Sequence, residues 1–426
     1  MSTASYDLSV PVLLFPITRY SLLYGSLGAI RSLGRVGVTS HAIISSTFSP
    51  HRFSRHLARA FVVKEDWTSN QTAILSQLVN IGRELGNPVI LLPTDDEAAI
   101  FAAEHTDELR ACFLLPQVSS ALPRALASKR DLYQLCIGHG VPAPRTAFAR
   151  SFGETIALAD QIRYPVVIKN SEPWSRLSSP AVASTTIFCA AEELLRLKYT
   201  WPANSEVIIQ EYIPDDAAED WIVHVYCGSD SNPVVAFTGR KYQSWPPRAG
   251  VTTAATVLRN DKLLDMATGF CRAVGFKGIA DMDWRFDSRD GQYKLVDFNP
   301  RFGANFRLFV TKNDIDVVRA LHLDLTGRAV PQAPPVFGRK FRLENLNWAS
   351  RLFGGTISQN ETATKQSKTE YAWLAADDPL PFLMMVVNFS CRIIERAISI
   401  PARKATKLVA HVGTLFHRQH KPRKDL

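Results

Sequence analysis

The sequence predicts an α/β domain with a parallel sheet, followed by a larger α+β region. Near the N-terminus, short apolar runs alternate with helical patterns, as they do in strand–helix–strand units. In the C-terminal half, polar strands follow one another across tight turns, which is typical of antiparallel pairs. With 426 residues and 46% hydrophobic content, the chain is long enough for two or three domains.

The N-terminal domain is predicted from four elements. They are a buried strand at Val12–Phe15, a helix from about Leu22 to Leu33, a second strand at Val38–Ile44 and a third strand at Pro88–Leu92. Parallel α/β sheets bind ligands at the carboxyl ends of their strands. The loops Thr18–Tyr20 and Thr94–Glu97 lie at such ends, so we expect them to form the wall of a substrate site.

The glycines of this domain exclude one common use of such a sheet. Gly25, Gly28 and Gly34 do not form the GxGxxG pattern at the end of the first strand. That pattern lets the backbone approach the pyrophosphate of a dinucleotide. The sequence therefore does not support an NAD-dependent enzyme.

A second unit begins near Leu122, and several of its elements end in a lysine or an acidic residue. A helix opens with Ser128-Lys129-Arg130-Asp131 and ends near Ile137. Strands are predicted at Tyr164–Lys169 and Val207–Pro214, and the second is followed by an acidic loop at Asp215–Asp220. Trp221–Cys227 and Pro233–Thr238 are predicted to form an antiparallel pair. His224 lies in the apolar part of this pair. A core histidine is the simpler interpretation of that residue than a catalytic base.

Two acidic strands near residue 290 carry the most specific chemistry. Because side chains alternate along a strand, Leu295, Asp297 and Asn299 are expected to share one face. Asp283 and Arg285 share a face of the strand before them. Folding back would bring Asp283 close to Asp297 and Asn299, and three oxygen ligands of this kind suit Mg²⁺ held against phosphate.

The segment between these strands favours a hairpin. It is Asp287–Gln292, and its Asp290-Gly291 step is a strong turn signal. A surface hairpin whose acidic residues face water is the alternative. The segment after the hairpin argues for a site, because Arg301 follows a proline that stops the strand, and its planar guanidinium suits phosphate or carboxylate.

Cysteine usage and charge exclude several classes of protein. The six cysteines are scattered and form no CxxC pair, which argues against a zinc site or a disulfide framework and predicts a reducing compartment. No signal peptide is visible, since the apolar run at Val12–Phe15 is too short. From Cys391 onward nine basic residues stand against two acidic ones, so +7 of the net +9 lies in the tail and nothing indicates a nucleic-acid-binding body.

The tail leaves two interpretations open. Leu380–Ile394 is strongly apolar, but it falls short of the ~20 residues that a spanning helix needs. From Glu395 onward the tail is basic, with interspersed Ile, Leu, Val and Phe, which is typical of an amphipathic helix on a membrane surface. A helix packed on the body and followed by a solvated tail is the simpler alternative.

Taken in order, these pieces identify a family resemblance. The chain resembles the ATP-grasp superfamily of ligases from roughly Pro11 to Gly338, and within it the carboxylate–amine ligases that include D-aspartate ligase-like and carbamoyl-phosphate-synthase-like domains. The residues that carry the resemblance are Lys129, Ile168-Lys169, Gln210–Pro214, Glu219-Asp220, Arg240-Lys241, Pro246–Gly250, Asp283 and Asp297–Arg301. Each is weak alone, and their common order is specific.

The resemblance implies a role for each matching residue. Lys129 and Lys169 would hold the α- and β-phosphates of ATP, and the backbone of Gln210, Glu211, Tyr212 and Ile213 would read the adenine edge. Glu219 or Asp220, with Glu219 preferred, would accept hydrogen bonds from the ribose hydroxyls.

The remaining matches concern metal and phosphate. Asp283, Asp297 and Asn299 would carry one or two Mg²⁺ (or Mn²⁺) ions, and Arg301, Arg248 and Lys241 would face the γ-phosphate and an acyl phosphate.

The implied reaction joins a carboxylate and an amine, both amino-acid-like, through an acyl phosphate, with release of ADP and phosphate. Enzymes of this group protect the intermediate from water with a lid, for which Asn170–Ala183 is the candidate. The alternatives are a carboxylate–thiol ligase, a carboxy-phosphate-forming enzyme, a regulatory module that binds ATP without turnover, and a basic scaffold that binds membranes or polyanions through its tail.

The resemblance also implies an organisation and a location. We expect a Rossmann-like preATP-grasp domain at residues 1–121, a two-lobed ATP-grasp domain at 122–338 and a helical, basic C-terminal extension at 339–426. The expected location is the cytoplasm, either free or at the inner face of the membrane. Two residue choices depart from the family pattern: Asp297 replaces the usual glutamate, and the lid carries Trp174 and Arg176 where glycines are common.

Overall fold

The computed structural model describes residues 4–18, 23–63, 70–86, 88–172, 180–182, 185–202, 205–245, 250–347 and 368–394. The strands are β1 (Val12–Phe15), β2 (Ser40–Ile44), β3 (Leu57–Val62), β4 (Val89–Pro93), β5 (Phe113–Leu114), β6 (Thr146–Ala149), β7 (Val166–Asn170), β8 (Thr185–Phe188), β9 (Val207–Glu211), β10 (Ala218–Cys227), β11 (Pro233–Trp245), β12 (Val251–Val257), β13 (Gly278–Asp287), β14 (Gln292–Asn299), β15 (Lys340–Arg342) and β16 (Thr369–Tyr371).

Most helices lie between these strands, and the last one follows β16. They are α1 (Tyr24–Gly34), α2 (Gln71–Leu85), α3 (Asp96–Glu104), α4 (Thr106–Leu109), α5 (Leu122–Ala127), α6 (Lys129–Gly138), α7 (Phe152–Ile162), α8 (Ala191–Leu195), α9 (Asp261–Ala273), α10 (Val317–Leu325) and α11 (380–394), with a helical turn at 344–347 and 3₁₀ turns at Pro50–Phe53, Asp215–Ala217 and Phe306–Leu308.

The first sheet is parallel and has the strand order β3-β2-β1-β4-β5. The strand predicted at Val12–Phe15 is confirmed as its central strand. Alternate residues of β1 enter different cores, as the period of a strand requires. Leu13 and Phe15 pack with α2 and α3, whereas Val12 and Leu14 pack with α1, α10 and Phe306. The core that contains Val12 and Leu14 therefore joins the first sheet to the seven-stranded sheet and α10, which we call the C-terminal lobe.

Two predicted elements of this domain begin later than the sequence indicated. The second strand starts at Ser40, because Gly37 adopts a φ of 81° and the amide of Val38 still donates to the carbonyl of Leu33 at the end of α1. The third strand starts at Val89 and runs to Pro93. Strand β3 was not predicted, since it is a half-exposed edge strand without an apolar run.

The next sheet has four antiparallel strands in the order β6-β9-β7-β8, and its core also holds α7 and α8. Strands β7 and β9 are neighbours, with Lys169 paired to Ile208 and Val166 paired to Glu211. The lysine strand and the predicted adenine segment are thus adjacent. Both strand predictions, at Tyr164–Lys169 and Val207–Pro214, are confirmed within two or three residues of their ends.

The third sheet has seven strands in the order β14-β13-β10-β11-β12-β15-β16. The predicted antiparallel pair is confirmed as β10 and β11, and the predicted acidic hairpin as β13 and β14. Strands β15 and β16, from the region after residue 338, extend the same sheet. The predicted domain boundaries stay predictions.

One detail of the hairpin prediction was wrong. Leu295 does not share a face with Asp297, because a bulge in the pairing of β13 with β14 sets Asp283 opposite Asp297 but Trp284 opposite Leu295. Leu295 is consequently buried with Trp284 and Phe298 in the core under the sheet. The bulge keeps Asp297 and Asn299 on the polar face while burying the leucine.

The turn of this hairpin offers a stability prediction. The buried carboxylate of Asp287 accepts from Arg289 Nη2 at 2.6 Å and from Lys294 Nζ at 2.8 Å. These donors hold the pKa of Asp287 well below its usual range. Its stabilising effect is therefore complete above the unfolded-state pKa of about 4 and disappears as the pH falls through the lower folded-state value.

We expect Asp287→Asn to lower the free energy of unfolding by about 3 kcal/mol at neutral pH, because it leaves two cations without their buried carboxylate. The difference from the wild type should shrink in strong acid. Urea unfolding at both pH values measures this. Asp290→Asn is the matched control, since Asp290 also pairs with Lys294 but is exposed. Equal losses in the two variants would contradict the prediction.

Candidate active site

Strand register brings the predicted metal ligands together. Asp283 stands directly opposite Asp297, and Asp281 opposite Asn299, across β13 and β14. Directly opposed residues of an antiparallel pair lie on the same face of the sheet. The pairing of β10 with its two neighbours adds Asp220 to this face. One face of the seven-stranded sheet therefore carries the carboxylates.

Three lysines meet these carboxylates. Lys129 forms an ion pair with Asp297, and Lys241 Nζ lies 2.5 Å from Asp283 Oδ1. Lys169 projects from β7 in the facing sheet and is 6% exposed. The site thus combines ammonium groups from both sheets with carboxylates from one, which is the charge pattern that positions a polyphosphate and a cation.

The position of Lys129 follows from local structure. Ser128 caps α6, its hydroxyl accepting from the amide of Asp131, as the sequence pattern predicted. The backbone amide of Lys129 donates to the carbonyl of Ser171 just beyond β7. This hydrogen bond ties the start of α6 to the end of the strand that carries Lys169, so the two lysines approach Asp297 together.

The electrostatics of the cluster follow from burial and pairing. Burial lowers the pKa of Lys169 to about 8, although Asp297 opposes the shift. Burial alone would raise the pKa of Asp297, but Lys129 and Lys169 outweigh it and lower that pKa to about 2. The pKa of Lys241 is raised in the same way, because Asp283 outweighs the cost of burial. Asp297 is ionised at neutral pH.

A cavity of about 520 Å³ lies between the four-stranded and seven-stranded sheets. The predicted site residues that line it are Lys169, Gln210, Glu211, Tyr212, Ile213, Glu219, Asp220, Lys241, Asp283 and Asp297. Its volume suits a nucleotide, since ligand pockets commonly measure about 300–1,000 Å³. Most of the predicted nucleotide and metal residues therefore share one cavity.

The segment predicted to read the adenine edge is held from both sides. Glu211 Oε1 accepts from the backbone amide of Arg145 at 3.0 Å and lies 3.3 Å from Lys294 Nζ on the opposite lobe. The carbonyl of Ile213 accepts from Arg285 Nη2 at 2.7 Å. The Glu211 side chain thus joins the β9 segment to the hairpin of β13 and β14, and the contact of this segment with adenine stays a prediction.

The structure separates the two candidates for the ribose contact. Asp220 lies on the same face as Lys241 and Asp283 and bonds Arg285 Nη1 at 2.7 Å. Glu219 points to the other face, where it pairs with Arg240 at 3.0 Å. Both residues reach the rim of the cavity, and which of them contacts a ribose stays a prediction.

Arg301 lies at the junction with the first domain. Its Nε is 3.1 Å from Asp96 Oδ1 at the start of α3, and its Nη1 is 3.3 Å from Asp281 Oδ2. Asp96 is 5% exposed. The sequence predicted that the Thr94–Glu97 loop forms a substrate wall, but no pattern in it indicated the contact of Asp96 with Arg301. The preceding Asp95 has a structural role, because it caps α3 and accepts from Thr18.

His224 lies next to Asp281, the carboxylate that contacts Arg301. It is fully buried, and its Nε2 lies 2.9 Å from Asn305 Oδ1 and 3.5 Å from Asp281 Oδ1. Burial lowers the pKa of His224, so the neutral imidazole is the stable form. The interpretation of His224 as a core histidine agrees with this geometry.

Several predicted positions lie outside the described residues. They are Arg248, Arg19 and Tyr20, and most of the candidate lid, including Trp174 and Arg176. Asn299 and Lys129 are described but sit beside the cavity lining rather than in it. The amide nitrogen of Asn299 donates to the carbonyl of Asp281 at 3.1 Å, so its oxygen is the atom suited to a cation.

The donor set fits a cation that shares its ligands with phosphate. Within the described ranges, no three His, Cys, Asp or Glu side chains gather closely enough to form a complete metal cage. Asp283, Asp297 and the Asn299 oxygen supply two carboxylates and one amide. Mg²⁺ is usually held by one or two carboxylates together with substrate phosphates and water, so this set is appropriate for it.

A parallel domain is followed by a four-stranded antiparallel sheet and a largely antiparallel seven-stranded sheet, and these two enclose a cavity lined with lysines and carboxylates. This is the arrangement of the ATP-grasp fold. The chain resembles the carboxylate–amine ligases of that superfamily, as its sequence predicted. It is 25% identical over 240 residues to D-aspartate ligase from Enterococcus faecium (strain Aus0004), a match that covers 54% of this chain and 57% of the relative. The match thus spans little more than half of the relative's length.

Solved structures show the same fold. The L-amino acid ligase from Bacillus licheniformis matches with a TM-score of 0.58 and 15% identity, covering 79% of each chain. The biotin carboxylase domain of Hydrogenobacter thermophilus 2-oxoglutarate carboxylase, solved with MgADP, ADP and bicarbonate, matches with a TM-score of 0.55 and 15% identity over 77% of this chain and 73% of that one. No family model matches the sequence.

Proposed function

We propose that this protein is an ATP-dependent ligase that joins a carboxylate to an amine and releases ADP and phosphate. The observation that carries the proposal is the direct opposition of Asp283 and Asp297, with lysines from both lobes around them, in a cavity of nucleotide size. The likeness to a D-aspartate ligase and to an L-amino acid ligase supports amino-acid-like substrates.

The nucleotide would lie between the two sheets. Lys129 and Lys169 would neutralise the α- and β-phosphates, which requires them to exchange Asp297 for phosphate oxygens. The backbone of Gln210–Ile213 would contact the adenine edge, and Asp220 or Glu219 the ribose. Phosphoryl transfer depends mainly on positioning and charge neutralisation, which is what such a cluster provides.

The cofactor that fits the carboxylates is Mg²⁺, with Mn²⁺ as a substitute, held by Asp283, Asp297 and Asn299. Bound there with ATP, it would neutralise charge on the β- and γ-phosphates. Asp297 is one methylene shorter than the glutamate usual in the family, and a shorter side chain is less able to bridge two ions. The site would therefore hold one or two Mg²⁺, a number that metal titration of the nucleotide complex measures.

The chemistry would proceed in two steps. A carboxylate oxygen attacks the γ-phosphorus of ATP while the bond to the ADP oxygen breaks, giving an acyl phosphate. The amine nitrogen then attacks the acyl carbon, phosphate leaves, and the nitrogen loses a proton to give the amide. Arg301, Lys241 and Arg248 would stabilise the charge on the transferred phosphoryl group.

We also propose the organisation and the compartment that the sequence indicated. Residues 1–121, 122–338 and 339–426 would form the preATP-grasp domain, the ATP-grasp domain and the basic extension. A reducing, cytoplasmic location is supported by the six cysteines, all of which are free thiols and four of which are buried. None of the helices in the described ranges is long and apolar enough to cross a membrane.

A screen for ADP release tests the reaction. Purified protein would be incubated with ATP, Mg²⁺ and pairs of amino acids or small carboxylates, with bicarbonate and thiols as separate additions. Release that requires both a carboxylate and an amine supports the ligase. Release with bicarbonate or with a thiol identifies the related enzymes instead, and tight ATP binding without release under any condition identifies a regulatory module.

The nucleotide site makes a separate prediction about Lys169. Lys169→Met should raise the Kd for MgADP about 10- to 100-fold, because a charge-assisted hydrogen bond contributes about 1.5–3 kcal/mol. Isothermal titration calorimetry measures the Kd. Lys198→Met, an exposed lysine in the same lobe, is the matched control and should leave it unchanged. An unaltered Kd in Lys169→Met would contradict this placement of the nucleotide.

A further inference from the structure

Helix α11 has two apolar sides, and the described part of the chain covers one of them. Met385 is 2% exposed, and Phe382 and Phe389 pack with it against the core that joins the first sheet to the C-terminal lobe. Asn388 secures the helix further, since its amide nitrogen donates to the carbonyl of Phe48 at 3.0 Å. The helix is therefore docked on the body through this side.

The other side faces solvent. Its large apolar side chains, each 43–57% exposed, form what we term the exposed stripe: Leu380, Leu383, Val386, Val387, Ile393 and Ile394. Leu383, Val387 and Ile394 follow the spacing of four and seven residues that places side chains on one helix face. Phe48, which contacts the helix through its carbonyl, is 68% exposed beside it.

Such a stripe is unusual for a surface helix. The outer face of a packed helix normally carries charged and polar residues, and contiguous exposed apolar patches mark interaction sites. Between Leu380 and Ile394 the only charged residue is Arg392. The stripe therefore needs a partner that covers apolar side chains without requiring complementary charges within the helix itself.

The chain after the helix indicates which partner this is. The residues after Ile394 contain eight Lys and Arg against Glu395 and Asp425, with apolar residues interspersed. An apolar helix face next to a cluster of basic residues is the pattern that binds an anionic bilayer surface, where each basic residue adds electrostatic attraction. A second copy of the chain is disfavoured, because two basic segments would repel.

We infer that the exposed stripe of α11 is a docking surface for an anionic lipid bilayer, the preference for acidic lipid being indicated by the basic composition of the sequence after Ile394. The apolar side chains of the stripe enter the boundary between headgroups and acyl chains, and the net positive charge of the following sequence favours acidic headgroups over neutral ones. This attaches the protein to a membrane surface without a spanning segment. The inference is independent of the proposed reaction.

Vesicle flotation of the full chain tests the inference. The protein should float with phosphatidylcholine vesicles that contain phosphatidylserine, and less with phosphatidylcholine alone. Raising the salt from about 0.1 M to about 1 M should weaken flotation, because the Debye length falls from about 10 Å to about 3 Å. Equal partitioning onto both kinds of vesicle would overturn the anionic bilayer as the partner.

Substitutions on the helix separate the stripe from the basic segment. Leu383→Glu combined with Val387→Glu should lower the partition coefficient at least about tenfold, since burial of each such side chain contributes roughly a factor of ten or more. Ile137→Glu, at an apolar position that is 60% exposed on another helix, is the matched control and should have no effect. An equal loss in the control would overturn the assignment of the stripe.

Two measurements exclude the other occupants. If the stripe is covered by a segment of this chain, the double variant lowers the melting temperature of the protein; an unchanged melting temperature supports a solvent-facing stripe. If a second copy covers it, sedimentation shows a dimer that the double variant dissociates, and that result would overturn the inference. A monomer in both forms supports the bilayer.

Discussion

Asp297→Asn is expected to reduce ADP release about 100- to 1,000-fold, the range for loss of one preorganised charge-stabilising group. Asp297 is the residue on which the cluster converges, since it pairs with Lys129 and is the main charge opposing the burial of Lys169. An asparagine keeps the shape of the side chain but removes the charge. The cation would lose a carboxylate, and the two lysines would repel each other without phosphate.

Steady-state ADP release with the substrates found in the screen measures this effect. The same variant should bind MgADP more weakly than the wild type and should lose its response to added Mg²⁺. Asp290→Asn is the matched control, because it removes a carboxylate from the turn of the same hairpin, away from the cavity. If Asp297→Asn retained wild-type turnover, the hairpin would not be the catalytic centre.

Gly303→Ala is expected to destabilise the protein strongly. A Cβ at this position would lie 2.3 Å from His224 Cε1 and 2.6 Å from Asp281 Cγ. His224 cannot withdraw easily, because it is fully buried in the interior strand β10 and is held by Asn305. Overpacking of a core typically costs about 1–3 kcal/mol, and we expect about 3 kcal/mol here.

Urea unfolding measures the free energy change, with Gly269→Ala as the matched control. Gly269 lies in α9, and a Cβ there would meet nothing within 4 Å. In a helix this change should be neutral or stabilising by up to about 1 kcal/mol. A similar outcome for the two variants would show that the segment at Gly303 can move away from His224.

The same close approach links stability to the site. Displacing Asp281 would also displace Arg301, which depends on Asp281 and Asp96 for its position. Gly303→Ala should therefore lower ADP release in the fraction of protein that remains folded. A variant that is destabilised but fully active when folded would show that Arg301 tolerates the shift.

The hairpin shows how far local sequence patterns reach. The Asp-Gly turn and the alternation of side chains predicted that Asp283 would meet Asp297, and the register confirms it. The same alternation placed Leu295 on the wrong face. A bulge places two residues of one strand opposite a single residue of its partner. The sequence of β14 does not indicate the bulge, because packing against the core beneath the sheet determines which apolar side chain is buried.

Contacts between residues far apart in the chain could not be predicted either, because they too depend on tertiary packing. Serine before Lys129 predicted a helix start, because capping acts between residues three apart. The contact of Asp96 with Arg301 spans 205 residues, and no local pattern relates the two. The sequence could likewise show that residues 380–394 are apolar, but not which side of that helix is covered by the body.

Capping, turn formation and alternation act between neighbours in the chain, so the sequence alone was sufficient for strand β1, the start of α6, the acidic hairpin, the lysines at element ends and the basic tail. Tertiary packing alone decided that Lys129 reaches Asp297, that Asp96 and Asp281 hold Arg301, and that the exposed stripe faces outward. These outcomes depend on how separately formed sheets and helices pack, because packing sets the distances between residues that are far apart in the chain.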